Sequence, residues 1–179
     1  MKGPCILAFI PTAIVALAIV FNCLVGDYPP DPEYAYLFNS LNILNLTSPD
    51  HNDHPGVPLQ LLGAAIILGL SAVRSVYISG LHTIDDVLTH PAIYLHAMNV
   101  VVACLVSGAS FFLGRRIFAR TGKVIIALTA QAFIFMSFAM LSSLARVCPE
   151  PLLMAEALFL AGLLAPLVFG ADQPSSAAR

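Results

Sequence analysis

Residues 92–113 read AIYLHAMNVVVACLVSGASFFL, a run of 22 positions without Asp, Glu, Lys or Arg. A helix needs about 20 such residues to cross the hydrocarbon core of a bilayer, and there it satisfies its own backbone hydrogen bonds. Four further stretches are of similar length and mostly apolar: residues 5–25, 57–79, 124–145 and 151–170. The sequence therefore predicts an all-α, polytopic transmembrane helical protein.

The composition of the whole chain agrees with this prediction. Of its 179 residues, 59% are hydrophobic and 10% are charged, against about 25% charged in ordinary globular proteins. The formal net charge is −2, and no basic run is long enough to follow a phosphate backbone, which argues against a nucleic-acid partner. The four cysteines form no CxxC or metal-binding spacing, so we interpret them as small apolar residues.

Charge placement predicts the orientation of the helices. Four of the eight basic residues lie in the loop 114–123, which the positive-inside rule places in the cytoplasm. If Lys2 is also cytoplasmic, one of the first three apolar stretches cannot cross, because three crossings would put this loop outside. Residues 57–79 are the best candidate, since they contain Gln60 and Arg74. The alternative is an inverted chain in which all five stretches cross.

The favoured topology is a single membrane domain over residues 1–179. Its external loop, residues 26–91, contains an amphipathic helix at 32–45 and a juxtamembrane helix at 57–79. The first apolar stretch is longer than a signal-peptide core, so we predict that it stays as a membrane helix. The remaining segments are the four spanning helices, residues 5–25, 92–113, 124–145 and 151–170, and a polar tail, residues 171–179.

The first part of the external loop carries a candidate catalytic carboxylate. After Pro32, apolar residues recur with the spacing of an amphipathic helix that lies on a membrane surface. Asp31 fits the capping position of that helix. A carboxylate at the membrane surface can also act as a general base towards an acceptor hydroxyl, or hold a divalent cation against a lipid phosphate. Capping excludes neither role. The apolar positions are Tyr34, Leu37, Phe38, Leu41 and Leu44, with Asn39, Ser40, Asn42 and Asn45 among the polar ones.

The second part of the loop, residues 48–56, is also rich in polar side chains. Aspartate and histidine together are suitable cation ligands or acid–base partners. A solvated turn rich in Asn, Asp, Pro and Gly has the same composition, so this interpretation stays open. The side chains in question are Asp50, His51, Asp53 and His54.

Four short motifs resemble, in order, those of one enzyme family. They are DPEYAYL at residues 31–37, HPGVPL at 54–59, LGRRIF at 113–118 and RVCPEP at 146–151. Their arrangement is similar to the GT-C class of polytopic membrane glycosyltransferases, in its protein mannosyltransferase-like and aminoarabinose transferase-like branches. The resemblance covers nearly the whole chain and agrees with an external loop between the first two spanning helices.

This resemblance implies transfer of a sugar from a polyprenyl-phosphate-linked donor to an acceptor on the external face, with inversion at the anomeric carbon. It implies that Asp31 is the base, although Glu33 is the alternative because Pro32 separates the two acids. It further implies a bacterial inner membrane, and a divalent cation is an additional candidate with no ligand set assigned. The substrate-binding residues that we expect are His54, Asp53, Tyr36, Glu150 and Arg74.

Several of these residues have a second interpretation. Arg74 either meets a phosphate or extends to the membrane interface to keep its charge hydrated. Asp85 and Asp86 fit a solvated turn or the start of a helix. His96 and Asn99 lie within an apolar stretch, where hydrogen bonding between helices is the favoured interpretation.

Two other function classes stay open. Family members usually have eight or more crossings, so we expect this chain to correspond to the amino-terminal portion of such an enzyme. It is alternatively a non-catalytic membrane protein or subunit that packs against partner helices. A transporter is a third class, disfavoured because most ionisable residues lie in the predicted loops rather than near the midplane of the bilayer.

Overall fold

The computed structural model describes residues 3–25, 33–50, 56–144 and 146–170, and these residues form helices and connections without any β-strand. The prediction of an all-α fold is confirmed. The helices are α1 Gly3–Leu7, α2 Phe9–Val25, α3 Glu33–Leu44, α4 Val57–Ser75, α5 Thr83–Thr89, α6 Pro91–Thr121, α7 Val124–Ala132, a 3-10 helix Phe133–Met136, α8 Phe138–Ser143 and α9 Pro149–Val168.

Three of the described helices, α4, α6 and α9, are long and apolar enough to cross a membrane. Two further apolar helical stretches are shorter. Cys5–Phe21 runs from α1 into α2, and Val124–Met136 comprises α7 and the 3-10 helix. Because α4 meets the same requirements of length and composition as α6 and α9, its placement beside the membrane rather than across it stays a prediction.

The apolar stretch 124–145 is not one continuous helix. After α7 the backbone tightens into the 3-10 turn Phe133–Met136 and then extends at Ser137, with φ −120° and ψ 123°. No proline or glycine occurs between Val124 and Leu144. The interruption is therefore a property of the folded chain that the local sequence does not predict.

The chain divides into two compact units. Unit 1 comprises Met1–Leu17, Val102–Ser142 and Glu150–Arg179, and unit 2 comprises Ala18–Val101 and Ser143–Pro149. Unit 2 contains all described residues of the external loop in the predicted topology. It is therefore the unit in which the structure can place the candidate site.

A proline in unit 1 removes a backbone donor that another side chain replaces. Pro11 has no N–H, so the carbonyl of Leu7, four residues earlier, lacks the usual helical partner. The side-chain amide of Gln131 donates to this carbonyl over 3.0 Å and to the carbonyl of Ser110 over 3.1 Å. Gly114 makes room for it, since a Cβ there would lie 2.4 Å from the Gln131 Nε2 atom.

The same arrangement recurs in α9 of unit 1. Pro166 lies inside this helix and deprives the carbonyl of Gly162 of its usual donor. The Nε atom of Arg116 donates to that carbonyl over 3.4 Å. A Cβ on Gly162 would lie 2.6 Å from the ring of Phe112, so only glycine permits this approach. Each freed carbonyl thus has a side-chain donor from another helix.

In unit 2, helix α3 packs on α4 through a face that differs from the simplest prediction. Leu37 and Leu41 are buried as their spacing predicts, but the polar residues Asn39 and Ser40 are buried too, whereas Phe38 is exposed. A Cβ on Gly63 of α4 would overlap the Ser40 hydroxyl, so two small residues meet here. Close packing therefore decides the orientation of α3 more than hydrophobic periodicity does.

Candidate functional site

The first charged cluster of unit 2 forms around Glu33, the first residue of α3. Its carboxyl group is buried, and its Oε1 atom lies 3.3 Å from the Nε atom of Arg146. The backbone N–H of Val147 donates a second hydrogen bond to the same carboxyl group. The Arg146 side chain is 40% exposed, so one partner of the pair reaches the surface while the other does not.

Burial raises the pKa of Glu33 above its ordinary value of 4.5. The hydrogen bonds from Val147 and Arg146 and the positive charges of Arg146 and His96 act in the opposite direction, but they do not fully offset the loss of hydration. A raised pKa is one property that general bases share, and it makes Glu33 a candidate for that role.

The second charged cluster connects α4, α5 and the beginning of α6. Arg74 donates two hydrogen bonds of 2.7 Å to the two carboxyl oxygens of Asp86. The hydroxyl of Tyr94 donates to Asp86 Oδ2 over 2.5 Å, and Ser71 Oγ lies 3.1 Å from the same hydroxyl. The Nδ1 atom of His90 is 3.3 Å from Asp86 Oδ1. We call these residues the Arg74–Asp86 network.

The electrostatics of this network are opposite to those of Glu33. The hydrogen bonds from Arg74 lower the pKa of Asp86 to about 2, with further lowering by Tyr94 and by the charges of Arg74 and His90. Asp86 is therefore ionised at any physiological pH and is a weak base. Its chemistry is that of a permanent counterion to the partly exposed Arg74.

The predicted site residues that the structure describes have different surroundings. Glu33 is paired with Arg146, and Arg74 with Asp86. A role of Arg74 towards a phosphate stays a prediction. Tyr36 is buried, and its ring lies 2.6 Å from where a Cβ on Gly56 would be. Glu150, in the first turn of α9, is exposed and belongs to unit 1. The predictions for Asp31, Asp53 and His54 fall outside the described residues.

The structure also describes Asn99, Asp85 and Asp86, for which the sequence allowed two interpretations. The side-chain amide of Asn99 donates to the carbonyl of Leu144 over 3.0 Å, which confirms a hydrogen bond to a separate segment. Asp85 and Asp86 lie in the first turn of α5, as a helix start predicts. Asp85 is exposed, but Asp86 is buried and therefore not part of a solvated turn.

The sequence alone does not indicate that Asp86, Tyr94 or Arg146 are partners in these clusters. One signal pointed towards Asp86, because an arginine within an apolar stretch needs a compensating charge and Asp86 follows Arg74 by 12 residues. Arg146 is separated from Glu33 by 113 positions, and nothing in the local pattern of either residue indicates the other.

No group of three histidine, cysteine or acidic side chains that could hold a metal ion occurs in the described part of the chain. The divalent cation considered for the external loop has no assigned ligand set. Of the side chains considered for it, Asp50 is described and exposed, whereas Asp31, His51, Asp53 and His54 lie outside the described residues. The described clusters contain one carboxylate each, and each carboxylate is paired with an arginine. As they stand, they are ion pairs rather than cation sites.

In comparisons with known proteins, no family model, curated protein or solved structure matches this chain. The fold indicates the class of protein. In the described residues, which are all-α, three helices are long and apolar enough to cross a bilayer, as in a membrane protein.

Proposed function

We propose that this chain is, or forms part of, a membrane glycosyltransferase that takes its sugar from a polyprenyl-phosphate-linked donor. The single observation that supports this most is the carboxyl group of Glu33. It lies at the start of α3, in the segment that resembles the first external loop of GT-C enzymes, and burial raises its pKa. Asp31, two residues earlier, is the other candidate base.

The proposed reaction requires one base and one leaving group. The carboxylate accepts the proton of the acceptor hydroxyl while that oxygen bonds to the anomeric carbon of the sugar. The bond from this carbon to the phosphate oxygen breaks, and the polyprenyl phosphate leaves with the electron pair. Attack opposite the leaving group inverts the anomeric centre. In this scheme Arg146 orients Glu33, since its Nε atom donates to the carboxyl group.

The test compares carboxyl groups within one loop. We expect Glu33→Gln or Asp31→Asn, whichever removes the base, to lower transfer from polyprenyl-phosphate mannose or aminoarabinose by about 10²- to 10⁴-fold. Asp85→Asn is the matched control, because Asp85 is an exposed carboxylate of the same external loop. Transfer is measured with membranes containing the full chain, and the amount of inserted protein is determined for each variant.

Full transfer activity in both Asp31→Asn and Glu33→Gln would contradict the proposal. Loss of activity together with loss of inserted protein would indicate a structural role for the carboxyl group. Glu33→Asp separates these outcomes further, since it retains the negative charge but shortens the side chain. If Glu33 is the base, this variant inserts normally and still transfers sugar more slowly.

A second candidate function is a non-catalytic subunit that packs against partner helices. It is favoured by the exposed surface of α9, since only 28% of the apolar stretch of this helix is buried within the chain. Cysteine crosslinking in native membranes distinguishes lipid from protein on this surface. A crosslinked partner at Leu163→Cys, with full activity in both carboxyl variants, would favour this second function. The exposed side chains include Leu160, Leu163, Leu164 and Leu167.

A further inference from the structure

Positive charge is concentrated at the end of α6 and in the turn that follows it. Arg115, Arg116, Arg120 and Lys123 make up half of the basic residues of the chain. No acidic residue occurs in the sequence between Asp86 and Glu150, so this stretch of the chain carries a net positive charge. We call residues 115–123 the basic turn.

The length of α6 places the basic turn beyond the apolar core of a bilayer. The helix has 31 residues and therefore rises about 46 Å, whereas the hydrocarbon core is about 30 Å thick. Arg115 follows Pro91 by 24 residues, which corresponds to about 36 Å along the helix axis. If Pro91 lies at one boundary of the core, Arg115 lies in the opposite headgroup layer.

The side chains of the basic turn are directed by aromatic residues one turn earlier. The guanidinium carbon of Arg115 lies 6.0 Å from the centre of the Phe111 ring, and that of Arg116 lies 5.9 Å from the centre of the Phe112 ring. Arg115 and Lys123 are exposed. Arginine stems over phenylalanine rings leave charged groups near the water–lipid boundary, where lipid phosphates are found.

The backbone also keeps the basic residues together. Gly122 has a positive φ of 64° and ends α6, after which α7 begins at Val124. The hydroxyl of Thr121 accepts a hydrogen bond from the N–H of Lys123 over 3.1 Å. The chain therefore reverses within two residues, and Lys123 stays close to the last turn of α6.

We propose that the basic turn is a binding surface for anionic phospholipids. Its ligand is a bilayer lipid with a net negative headgroup, such as phosphatidylglycerol, rather than a soluble phosphate. A basic residue beside an anionic membrane surface contributes about a fivefold gain in binding. This surface lies in unit 1, and it does not depend on the proposed transferase activity.

The test measures lipid preference directly on the full chain. Native mass spectrometry of the detergent-solubilised protein compares phosphatidylglycerol with phosphatidylcholine of the same acyl chains. We expect a preference of at least about fivefold for phosphatidylglycerol, and its loss in Arg115→Gln/Arg120→Gln/Lys123→Gln. Arg116 is left unchanged because it also donates to the carbonyl of Gly162.

Two control variants separate charge from structure. Arg115→Lys/Arg120→Lys keeps the charges and should keep the preference, and Arg179→Gln removes one charge elsewhere in the chain and should also keep it. Equal binding of both lipids to the unaltered chain would overturn the proposal. So would an unchanged preference in the triple glutamine variant, or displacement of phosphatidylglycerol by an equal concentration of glycerol phosphate, which would indicate a site for free phosphate.

Discussion

Individual side chains of unit 1 replace backbone donors that prolines remove. Gln131 donates to the carbonyl that Pro11 leaves without a helical partner, and Arg116 does so for the carbonyl freed by Pro166. A buried carbonyl without a donor costs about 1–3 kcal/mol, and water is absent from a bilayer core to replace the missing donor. These contacts therefore explain why a fully buried glutamine is retained within an apolar stretch.

This explanation predicts coupling between Gln131 and Pro11. Gln131→Ala should lower the free energy of unfolding, because the Leu7 carbonyl loses its donor. In a Pro11→Ala background, Gln131→Ala should lower the free energy of unfolding by about 0.5–2 kcal/mol less than it does in the unaltered chain. The reason is that Ala at position 11 supplies an N–H four residues after Leu7. The measurement is a double-mutant cycle of unfolding in mixed detergent and SDS. Additive effects of the two substitutions would contradict the explanation.

At the scale of helices, close approach between α3 and α4 depends on small residues. Gly63 meets the Ser40 hydroxyl of α3 and the methyl group of Met98 of α6. This packing buries Asn39 and Ser40, although both are polar. Asn39 remains satisfied because its Oδ1 atom accepts a hydrogen bond of 2.9 Å from the N–H of Asp50. The orientation of α3 in turn positions Glu33 at its start.

Two glycines of α4 provide a matched test of this packing. Gly63→Ala should destabilise the protein by about 1–3 kcal/mol, since the added methyl group overlaps Ser40 and Met98. Gly69→Ala in the same helix should stabilise it by up to about 1 kcal/mol, because no atom lies within 4 Å of the added methyl group. Unfolding midpoints in mixed detergent and SDS check both. Equal effects at the two positions would exclude packing as the cause.

At the scale of the whole molecule, an apolar chain retains a small number of charges by pairing them. Arg74 is paired with Asp86, and Glu33 with Arg146. The two carboxyl groups respond to pH in opposite directions. The pKa of Glu33 is raised, so its favourable contribution is complete below about pH 4.5 and is lost as the pH rises through the folded-state value. The pKa of Asp86 is lowered, so its favourable contribution to stability is present at higher pH and is lost in acid.

Acid unfolding should therefore report on the Arg74–Asp86 network. The pKa of Asp86 is about 2 in the folded chain against an ordinary value of 3.8. Its contribution to stability is complete above about pH 4 and is lost as the pH falls through about 2. Asp86→Asn should lower the unfolding midpoint at neutral pH. It should also remove the acid-dependent loss, so the midpoints of the variant and of the unaltered chain should converge as the pH falls. Glu33→Gln is the control and should keep the acid loss; a constant difference for Asp86→Asn would contradict the assignment.

The sequence alone determined the class of fold. Long apolar stretches without charge predict membrane helices because lipid offers no hydrogen-bond partner to an open backbone, and this requirement is independent of tertiary contacts. The amphipathic spacing after Pro32 likewise predicted α3, which begins at Glu33. For the candidate site, the sequence identified Glu33 and Arg74 as unusual but did not identify their partners.

Only the tertiary structure decided which charges meet, where the stretch after Val124 breaks, and which face of α3 is buried. Glu33 and Arg146 are 113 positions apart, and their pairing follows from a distance in space that no local periodicity encodes. Ser137 interrupts a stretch with no proline or glycine, and Ser40 is buried because Gly63 leaves room for it. Helix formation is local, whereas charge pairing and close packing depend on residues brought together by the fold.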